Sequence, residues 1–142
     1  MSKPIKYKHK FTQRVVWGEM DAFGHVNNVT YARYFESARA DFFSSVGIWD
    51  SPLKPAKTGP VITHLEMDFR KQVMFPATLE VTLEVNAMTS RGFHIVCSMW
   101  NERDECVVTA GADIVWFDFV SGRPAIIPKD FSERFGLSKS EI

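Results

Sequence analysis

A carboxylate and an imidazole lie close together in the segment Trp17–Tyr31, where a short turn leads into an amphipathic helix. Asp21 opens the turn, and Gly24 and His25 follow before the helix starts. The first amides of a helix lack intrahelical acceptors, and together with the helix dipole they stabilise nearby anions. A carboxylate can attack a carbonyl group or activate water while one of these amides stabilises the developing oxyanion. These residue types in this order indicate a site for acyl transfer.

Several stretches of the chain carry a longer pattern. The first two are Asp21-x-x-Gly24-His25-Val26-Asn27-Asn28-x-x-Tyr31 and Tyr34-Phe35-Glu36-x-Ala38-Arg39. The others are Asp68-Phe69-Arg70-Lys71-Gln72-Val73-x-Phe75-Pro76-Ala77 and Gly122-Arg123-Pro124 followed by Ile127-Pro128. Over roughly residues 10–130 the chain resembles hotdog-fold thioesterases of the 4-hydroxybenzoyl-CoA thioesterase type. The resemblance implies one hotdog domain over residues 1–142, with its core at about 7–130, that hydrolyses an acyl-CoA or acyl-ACP thioester to free acid and thiol.

The resemblance also implies catalytic roles for Asp21, Asn28 and His25. Asp21 would act as the nucleophile or as a general base on water, and both roles remain open. Asn28 would donate its backbone N–H to the oxyanion, a role compatible with simple helix capping. His25 would assist water or orient the thioester, although a histidine in a turn is also commonly structural. The same string resembles plant-type acyl-ACP thioesterases, but Phe23 stands where those enzymes carry an asparagine, so their complete mechanism does not transfer.

Four residues of the turn and first helical turn are candidates for contact with the acyl group. Phe23 and Tyr31 would line the acyl pocket, although aromatic residues here are also typical of an ordinary core. Gly24 would allow close approach of the substrate, because it has no side chain. Asn27 would support the turn.

Two cations are candidates for contact with coenzyme A, which would enter only as part of the substrate. Arg91, with Lys71 as the weaker candidate, would contact the phosphates, because a guanidinium donates to such oxygens bidentately. A solvated loop charge is the alternative for both. The chain has no glycine-rich phosphate loop, and no separate cofactor is expected.

Neither cysteine suggests a metal site or a disulfide. Cys97 and Cys106 fall in adjacent predicted strands, and we expect them to be free thiols. Because the chain has no CxxC motif and no cluster of histidine and cysteine, no bound metal is expected.

Composition and net charge indicate a globular domain and argue against some partners. The 142 residues are 45% hydrophobic and 24% charged, which is typical of a globular domain. Seventeen basic and seventeen acidic residues give a net charge of zero, which argues against a nucleic-acid partner. The sequence has no apolar run long enough to span a membrane and no signal-peptide pattern at Met1–Pro4. A cytoplasmic protein without a membrane span is therefore expected.

The hydrophobic periodicity predicts one long helix. Apolar side chains recur at helical spacing from Tyr31 to Phe42. Asn27 or Asn28 suits the N-cap, and Gly47 suits the C-terminal stop. These signals predict a helix from about 28 to 46.

Strand patterns surround this helix in the sequence. Strands are predicted at 7–18, 61–69, 79–85, 93–99 and roughly 105–119, and a proline-rich loop is predicted at 50–60. A hairpin is expected at Thr89–Gly92, and Gly111 is expected to mark a bulge or a close backbone contact. The last dozen residues are expected to fray. This content predicts an α+β hotdog fold, with a mostly antiparallel curved sheet wrapped round one long central helix.

Three classes of function fit a hotdog domain: a thioesterase, a dehydratase or hydratase, and a non-enzymatic acyl-thioester binding protein. Dehydratases of this fold place their acid–base pair on a different loop, so the position of Asp21 favours hydrolysis. A curled sheet around one helix leaves an exposed edge strand, which favours a homodimer with a two-fold axis. The same geometry permits a homotetramer of two dimers.

Overall fold

The computed structural model describes residues 3–48 and 57–137. Its elements, in chain order, are β1 (His9–Arg14), α1 (Asn28–Ser45), β2 (Thr58–Phe69), β3 (Thr78–Met88), β4 (Gly92–Trp100), β5 (Cys106–Asp118), β6 (Arg123–Pro124) and α2 (Phe131–Arg134). A short 3-10 turn covers Trp17–Glu19, between β1 and α1. In these ranges, no helix has the length and apolar character needed to cross a membrane.

One antiparallel sheet wraps around α1. The strand order is β1-β3-β4-β5-β2, and β6 pairs with β5. Because successive side chains in a strand point to opposite faces, alternate residues of β3 and β4, such as Leu83 and Ile95, point towards α1 and are completely buried. Phe35 and Ala38 on α1 are also completely buried, so the helix and the sheet share one core. The predicted α+β hotdog fold is confirmed.

Both ends of α1 are close to their predicted positions. Asn27 is the N-cap, and its side-chain oxygen accepts a hydrogen bond from the Val29 amide at 3.0 Å. At the other end Gly47 has a φ of +75°, in the left-handed region. The amides of Gly47 and Ile48 donate to carbonyl groups of the last helical turn, which completes a Schellman motif. This paired capping fixes where the helix begins, and therefore where its first free amides lie.

The prediction for the first strand is wrong at its C-terminal end, because β1 stops at Arg14 rather than near residue 18. The Val16 amide donates to the Glu19 carboxylate at 2.8 Å, and the Glu19 amide donates to the Val16 carbonyl at 3.0 Å. These local bonds close the 3-10 turn in place of a sheet ladder.

Gly111 marks a close contact rather than a bulge. It pairs in regular register with Glu66 of β2 and Val96 of β4. A Cβ atom at this position would lie 3.2 Å from both the Glu66 carboxylate and the His94 ring, so glycine leaves room for two side chains on the outer face of the sheet.

The C-terminal segment is ordered further than predicted. Phe131 and Phe135 are buried against the core, and their rings lie 5.8 Å apart. The prediction of fraying is therefore wrong as far as Leu137, and residues 138–142 lie outside the described residues. Most of the loop predicted at 50–60 also lies outside them.

β2 is an exposed edge of the sheet, since it stands last in the strand order and pairs only with β5. Its side chains on the helix side remain accessible, and Leu65 and Phe69 expose 40% and 52% of their surface. An exposed edge strand with apolar side chains is a template for pairing with another strand.

Candidate active site

The turn that carries Asp21 is closed by its own backbone. The Asp21 amide donates to the His25 carbonyl at 2.7 Å, and the Gly24 amide donates to the Asp21 carbonyl at 3.1 Å. Gly24 has a φ of +79°, which glycine adopts without strain. One carboxylate oxygen of Asp21, Oδ1, accepts the amides of Phe23 at 2.9 Å and His25 at 3.2 Å. The carboxylate is thus held in a fixed orientation, and no described residue hydrogen-bonds to its second oxygen.

Glu19 ties this turn to α1. The Tyr34 hydroxyl donates to Glu19 Oε1 at 2.6 Å, and the same oxygen accepts the Val16 amide. The Glu19 carbonyl accepts the Asn27 amide at 3.0 Å. Burial and the hydrogen bond to Glu19 hold the pKa of Tyr34 well above its usual range, so the phenol keeps its proton. The segment just before Asp21 is therefore braced against the helix by side-chain and backbone bonds.

The start of α1 leaves one amide available beside this turn. The Asn27 side chain occupies the Val29 amide, and the Asn27 carbonyl accepts the Thr30 amide. The Asn28 amide, the first of the helix, has no acceptor among residues 3–48 and 57–137. An unpaired amide at a helix N-terminus is suited to stabilise an oxyanion.

A cavity of about 480 Å³ brings most of the predicted site residues together. It is lined by Asp21, Phe23, His25, Val26, Asn28, Tyr31, Phe69, Arg70, Lys71 and Gln72. All three candidate catalytic residues are in this set, as are Phe23, Tyr31 and Lys71. Gly24 and Asn27 lie in the adjoining turn and cap, where they shape the backbone rather than line the cavity.

Tyr31 forms an aromatic wall of the cavity. It is buried, and its ring lies 5.6 Å from the ring of Phe69 and 6.0 Å from that of Tyr34. Burial, with a smaller contribution from the Asp21 charge, raises the pKa of Tyr31 to about 12. Near neutral pH the hydroxyl therefore remains a neutral hydrogen-bond donor near the carboxylate.

Phe23 lies at the mouth of the same cavity rather than in a core. Its side chain exposes 84% of its surface, and Trp17 nearby in sequence exposes 75%. Large exposed aromatic side chains around a cavity are typical of surfaces that contact a ligand or another protein.

The two predicted phosphate contacts lie in different places. Lys71 lines the Asp21 cavity, and its ammonium group pairs with Glu105. Arg91 does not line the Asp21 cavity and lies in the hairpin after β3. The Asp21 turn lies near the other end of β3, because the Val26 amide donates to the carbonyl of Val73, which precedes β3. The 11 residues of β3 extend about 35 Å. Within one protomer, Arg91 and Lys71 therefore cannot both contact the same phosphate group.

Three further residues of the cavity come from the end of β2 and the turn after it: Phe69, Arg70 and Gln72. The Arg70 amide donates to the Val107 carbonyl of β5 at 2.8 Å, and its side chain contacts Thr109. In the sequence, these residues fall in a segment that resembles the thioesterase family, but no role is predicted for them. Their only signal was their place in that segment, since their position beside Asp21 depends on how the sheet folds.

Neither thiol is placed to act as a nucleophile. Cys97 and Cys106 are both free, and burial raises the pKa of each, most strongly for the deeply buried Cys97. A buried thiol of raised pKa stays protonated and inert. Within the described ranges, no three histidine, cysteine, aspartate or glutamate side chains are grouped to hold a metal ion.

The antiparallel sheet wrapped around α1 places this chain in the class of hotdog-fold proteins. Residues 15–135 match the family described as the Thioesterase-like superfamily. The chain belongs to this family.

Similar proteins from bacteria and plants carry related names. A protein of Aquifex aeolicus, provisionally named an esterase, is 26% identical over 123 residues, which cover 87% of this chain and 94% of its own length. The chloroplastic acyl-acyl carrier protein thioesterase ATL3 of Arabidopsis thaliana is 26% identical over 130 residues, covering 89% of this chain and 67% of that protein. A solved structure from Pseudomonas aeruginosa, provisionally named a thioesterase, has a TM-score of 0.81 at 28% identity, covering 88% of this chain and 95% of that one.

Proposed function

We propose that this protein hydrolyses an acyl thioester of coenzyme A or acyl carrier protein to the free acid and the thiol. One observation carries the proposal: Asp21 and Asn28 line the same cavity. Within residues 3–48 and 57–137, one carboxylate oxygen of Asp21 and the Asn28 amide have no hydrogen-bond partner. Family membership and the name of the Arabidopsis relative support the same reaction class.

The geometry suggests how the residues would share the reaction. The thioester carbonyl oxygen accepts a hydrogen bond from the Asn28 amide, which makes the carbonyl carbon more electrophilic. Asp21 either attacks that carbon or removes a proton from an attacking water molecule. The C–S bond breaks, water supplies the OH of the free acid, and the remaining proton passes to the thiolate. His25 lines the cavity and would orient the thioester or the water.

Substrate contacts would come from the walls of the cavity. Tyr31 and Phe69 offer a flat aromatic surface for the start of the acyl group. Arg70 and Lys71 place two cations at the same opening, where they would meet the phosphates of coenzyme A or the acidic surface of a carrier protein.

Arg91 fits this scheme if two copies pair along β2. Gly92 pairs with Val115, and Val115 pairs with Val61, so Arg91 lies at the end of the sheet where β2 begins. Antiparallel pairing of two β2 strands would bring that end of one copy to the Asp21 end of the other. Arg91 would then contact the nucleotide held mainly by the second copy.

The direct test measures thiol release from a panel of acyl-CoA chain lengths and from acyl-ACP, with a thiol-reactive dye. Release of free thiol at a rate above the background supports hydrolysis. Conversion of the acyl group without thiol release would instead favour the hydratase class. Binding of the thioesters without any conversion would contradict the proposal and indicate a binding module.

A further inference from the structure

A second cavity, of about 560 Å³, lies between the C-terminal half of α1 and the start of β2. Its apolar walls include Phe43, Ile48, Pro60, Ile62, Ile114 and Phe119. Among the described residues of its lining, Glu36 and Arg39 of α1 are charged. This cavity is separate from the one that holds Asp21, with which it shares no lining residue.

Arg39 is a buried cation, and one of its guanidinium nitrogens has no acceptor in the described part of the chain. Its side chain exposes only 8% of its surface, and its guanidinium carbon lies 4.4 Å from the centre of the Phe35 ring. The Nη1 atom is completely buried and has no hydrogen-bond partner among residues 3–48 and 57–137. Burial lowers the pKa of Arg39, while the exposed Glu36 carboxylate acts more weakly in the opposite direction and favours the charged form. An arginine remains charged even when buried, so leaving its N–H groups unpaired is costly.

The two cavities lie at opposite ends of β2. The Asp21 cavity includes Phe69 and Arg70 at the end of the strand. The Arg39 cavity includes residues at its start, namely Thr58, Gly59, Pro60 and Ile62. At about 3.3 Å per residue these ends are roughly 30 Å apart, which is too far for one short acyl group within a protomer. An antiparallel pairing of two β2 edges reverses this order, because it sets the end of one strand beside the start of the other.

We propose that Arg39 of one copy determines the specificity for the acyl group held at Asp21 of a second copy. The substrate class is an acyl thioester whose acyl chain carries an oxygen acceptor, above all a carboxylate, away from the thioester. This inference rests on the proposed function and names its substrate class. The apolar walls cover the chain, and the acceptor at its far end satisfies the buried guanidinium, since charge-assisted hydrogen bonds are the strong ones.

Matched thioesters test the chemistry. Hexanoyl-CoA, ω-hydroxyhexanoyl-CoA and adipoyl-CoA have the same chain length and differ only at the far end. We expect kcat/KM to rise in that order, with adipoyl-CoA preferred over hexanoyl-CoA by on the order of tenfold, the scale of one charged hydrogen bond. Arg39→Met should abolish this preference, and Arg39→Lys should keep part of it.

Arg33→Met is the matched control, because Arg33 is exposed on α1 and lines neither cavity. It should keep the full preference. Arg39→Met should fold, because removing an unpaired buried charge is neutral or stabilising, and its melting temperature verifies this. A folded Arg39→Met protein with unchanged preference overturns the inference.

Mixed dimers test whether the site is shared between two copies. A dimer of one Asp21→Asn chain and one Arg39→Met chain has a single reactive carboxylate, which faces the intact Arg39 of the other chain. The mixed dimer should therefore show the wild-type preference that the Arg39→Met homodimer lacks. A mixed dimer with the same loss of preference as that homodimer would place Arg39 and Asp21 in one chain and overturn the shared site.

A binding measurement separates this inference from the proposed hydrolysis. Calorimetry with intact thioesters on the Asp21→Asn protein should show tighter binding of adipoyl-CoA than of hexanoyl-CoA, and the double variant with Arg39→Met should bind both equally. This result would support the specificity site even if the wild-type protein hydrolysed no thioester. Equal affinities of the Asp21→Asn protein for the two thioesters, or no binding of either, overturn the inference. If the wild-type protein nevertheless releases thiol, the proposed hydrolysis stands without the specificity site.

Discussion

Asp21 uses its two carboxylate oxygens differently. Oδ1 accepts two amides of its own turn, which is the role of an aspartate in any Asx-type turn. The second oxygen, which no described residue occupies, is the one available for a thioester or a water molecule. In the proposed mechanism, Asp21 therefore both closes the turn and takes part in the reaction, and a substitution can separate these two roles.

Asp21→Asn should lower the rate of thiol release by at least about 100-fold while leaving the melting temperature close to that of wild type. The asparagine side-chain oxygen can still accept the two amides, but the side chain can neither attack nor take a proton. Asp113→Asn, on the outer face of the sheet, is the control and should keep its activity. An Asp21→Asn protein with more than half of the wild-type rate would remove Asp21 from the mechanism.

Tyr34→Phe tests the brace at Glu19. Loss of the hydroxyl leaves a partly buried carboxylate oxygen with one partner fewer, so we expect a loss of about 1–2 kcal/mol in unfolding free energy. Because Glu19 lies two residues before Asp21, we expect kcat to fall together with the stability. Urea unfolding and thiol-release kinetics measure the two effects. Tyr7→Phe is the control, since no hydrogen bond of the described residues involves the Tyr7 hydroxyl, and equal behaviour of the two variants would contradict the role of the brace.

At the scale of single residues, the candidates that lie close together in the sequence also lie close together in the structure, while their catalytic roles stay predictions. Asp21, His25, Asn28 and Tyr31 line one cavity because a turn and the first helical turn after it cannot separate them. Glu19 was missed because its partner, Tyr34, is a long-range contact across the turn, and nothing in the spacing of a glutamate and a tyrosine identifies such a pair.

α1 is the element on which the candidate site depends, since its first turn carries the proposed oxyanion donor and its buried face packs against the sheet. Its ends were predictable because both rest on single residues with strong local preferences, Asn27 at the start and Gly47 at the end. The contribution of β2 to the site was not predictable in the same way. Arg70 reaches the cavity only because the register of β2 on β5 places it there, and register depends on the whole sheet.

Gly47→Ala should destabilise the protein by about 1 kcal/mol, because an alanine at a φ of +75° is strained. A Cβ atom would also lie 3.2 Å from an Arg134 guanidinium nitrogen, although that flexible side chain can move. Urea unfolding measures the loss. Gly18→Ala is the control for stability, since a Cβ there meets nothing within 4 Å. An equal stability of both variants would contradict the capping role.

At the scale of the whole molecule, the exposed β2 edge leads us to expect a homodimer. Light scattering at micromolar concentration should give about twice the chain mass of 16.2 kDa, or four times that mass if two dimers stack. The backbone amides along the unpaired edge of β2 should become protected from hydrogen exchange at high protein concentration. A 16.2 kDa monomer that keeps full activity would refute the shared active site.

Arg91→Ala should raise KM for acyl-CoA more than it lowers kcat, because a phosphate contact far from the carbonyl supplies uniform binding. The effect should shrink at high salt, since Arg91 is exposed. Lys10→Ala is the control, because Lys10 is exposed on β1, at the opposite edge of the sheet from β2, and lines neither cavity. An unchanged KM for Arg91→Ala at low ionic strength would make Arg91 an ordinary solvated charge.

Because β2 is an exposed edge at which two copies would pair, we expect the specific activity to depend on protein concentration. In the proposed dimer each bound thioester touches both copies, so ligand binding and association of the copies are thermodynamically linked. Thioester would then hold the copies together under conditions in which the free protein dissociates on dilution. Specific activity would fall at low protein concentration, and the concentration at which it falls would shift downward as substrate is added. The amount of protein would thus act together with the supply of substrate in setting how much active enzyme is present.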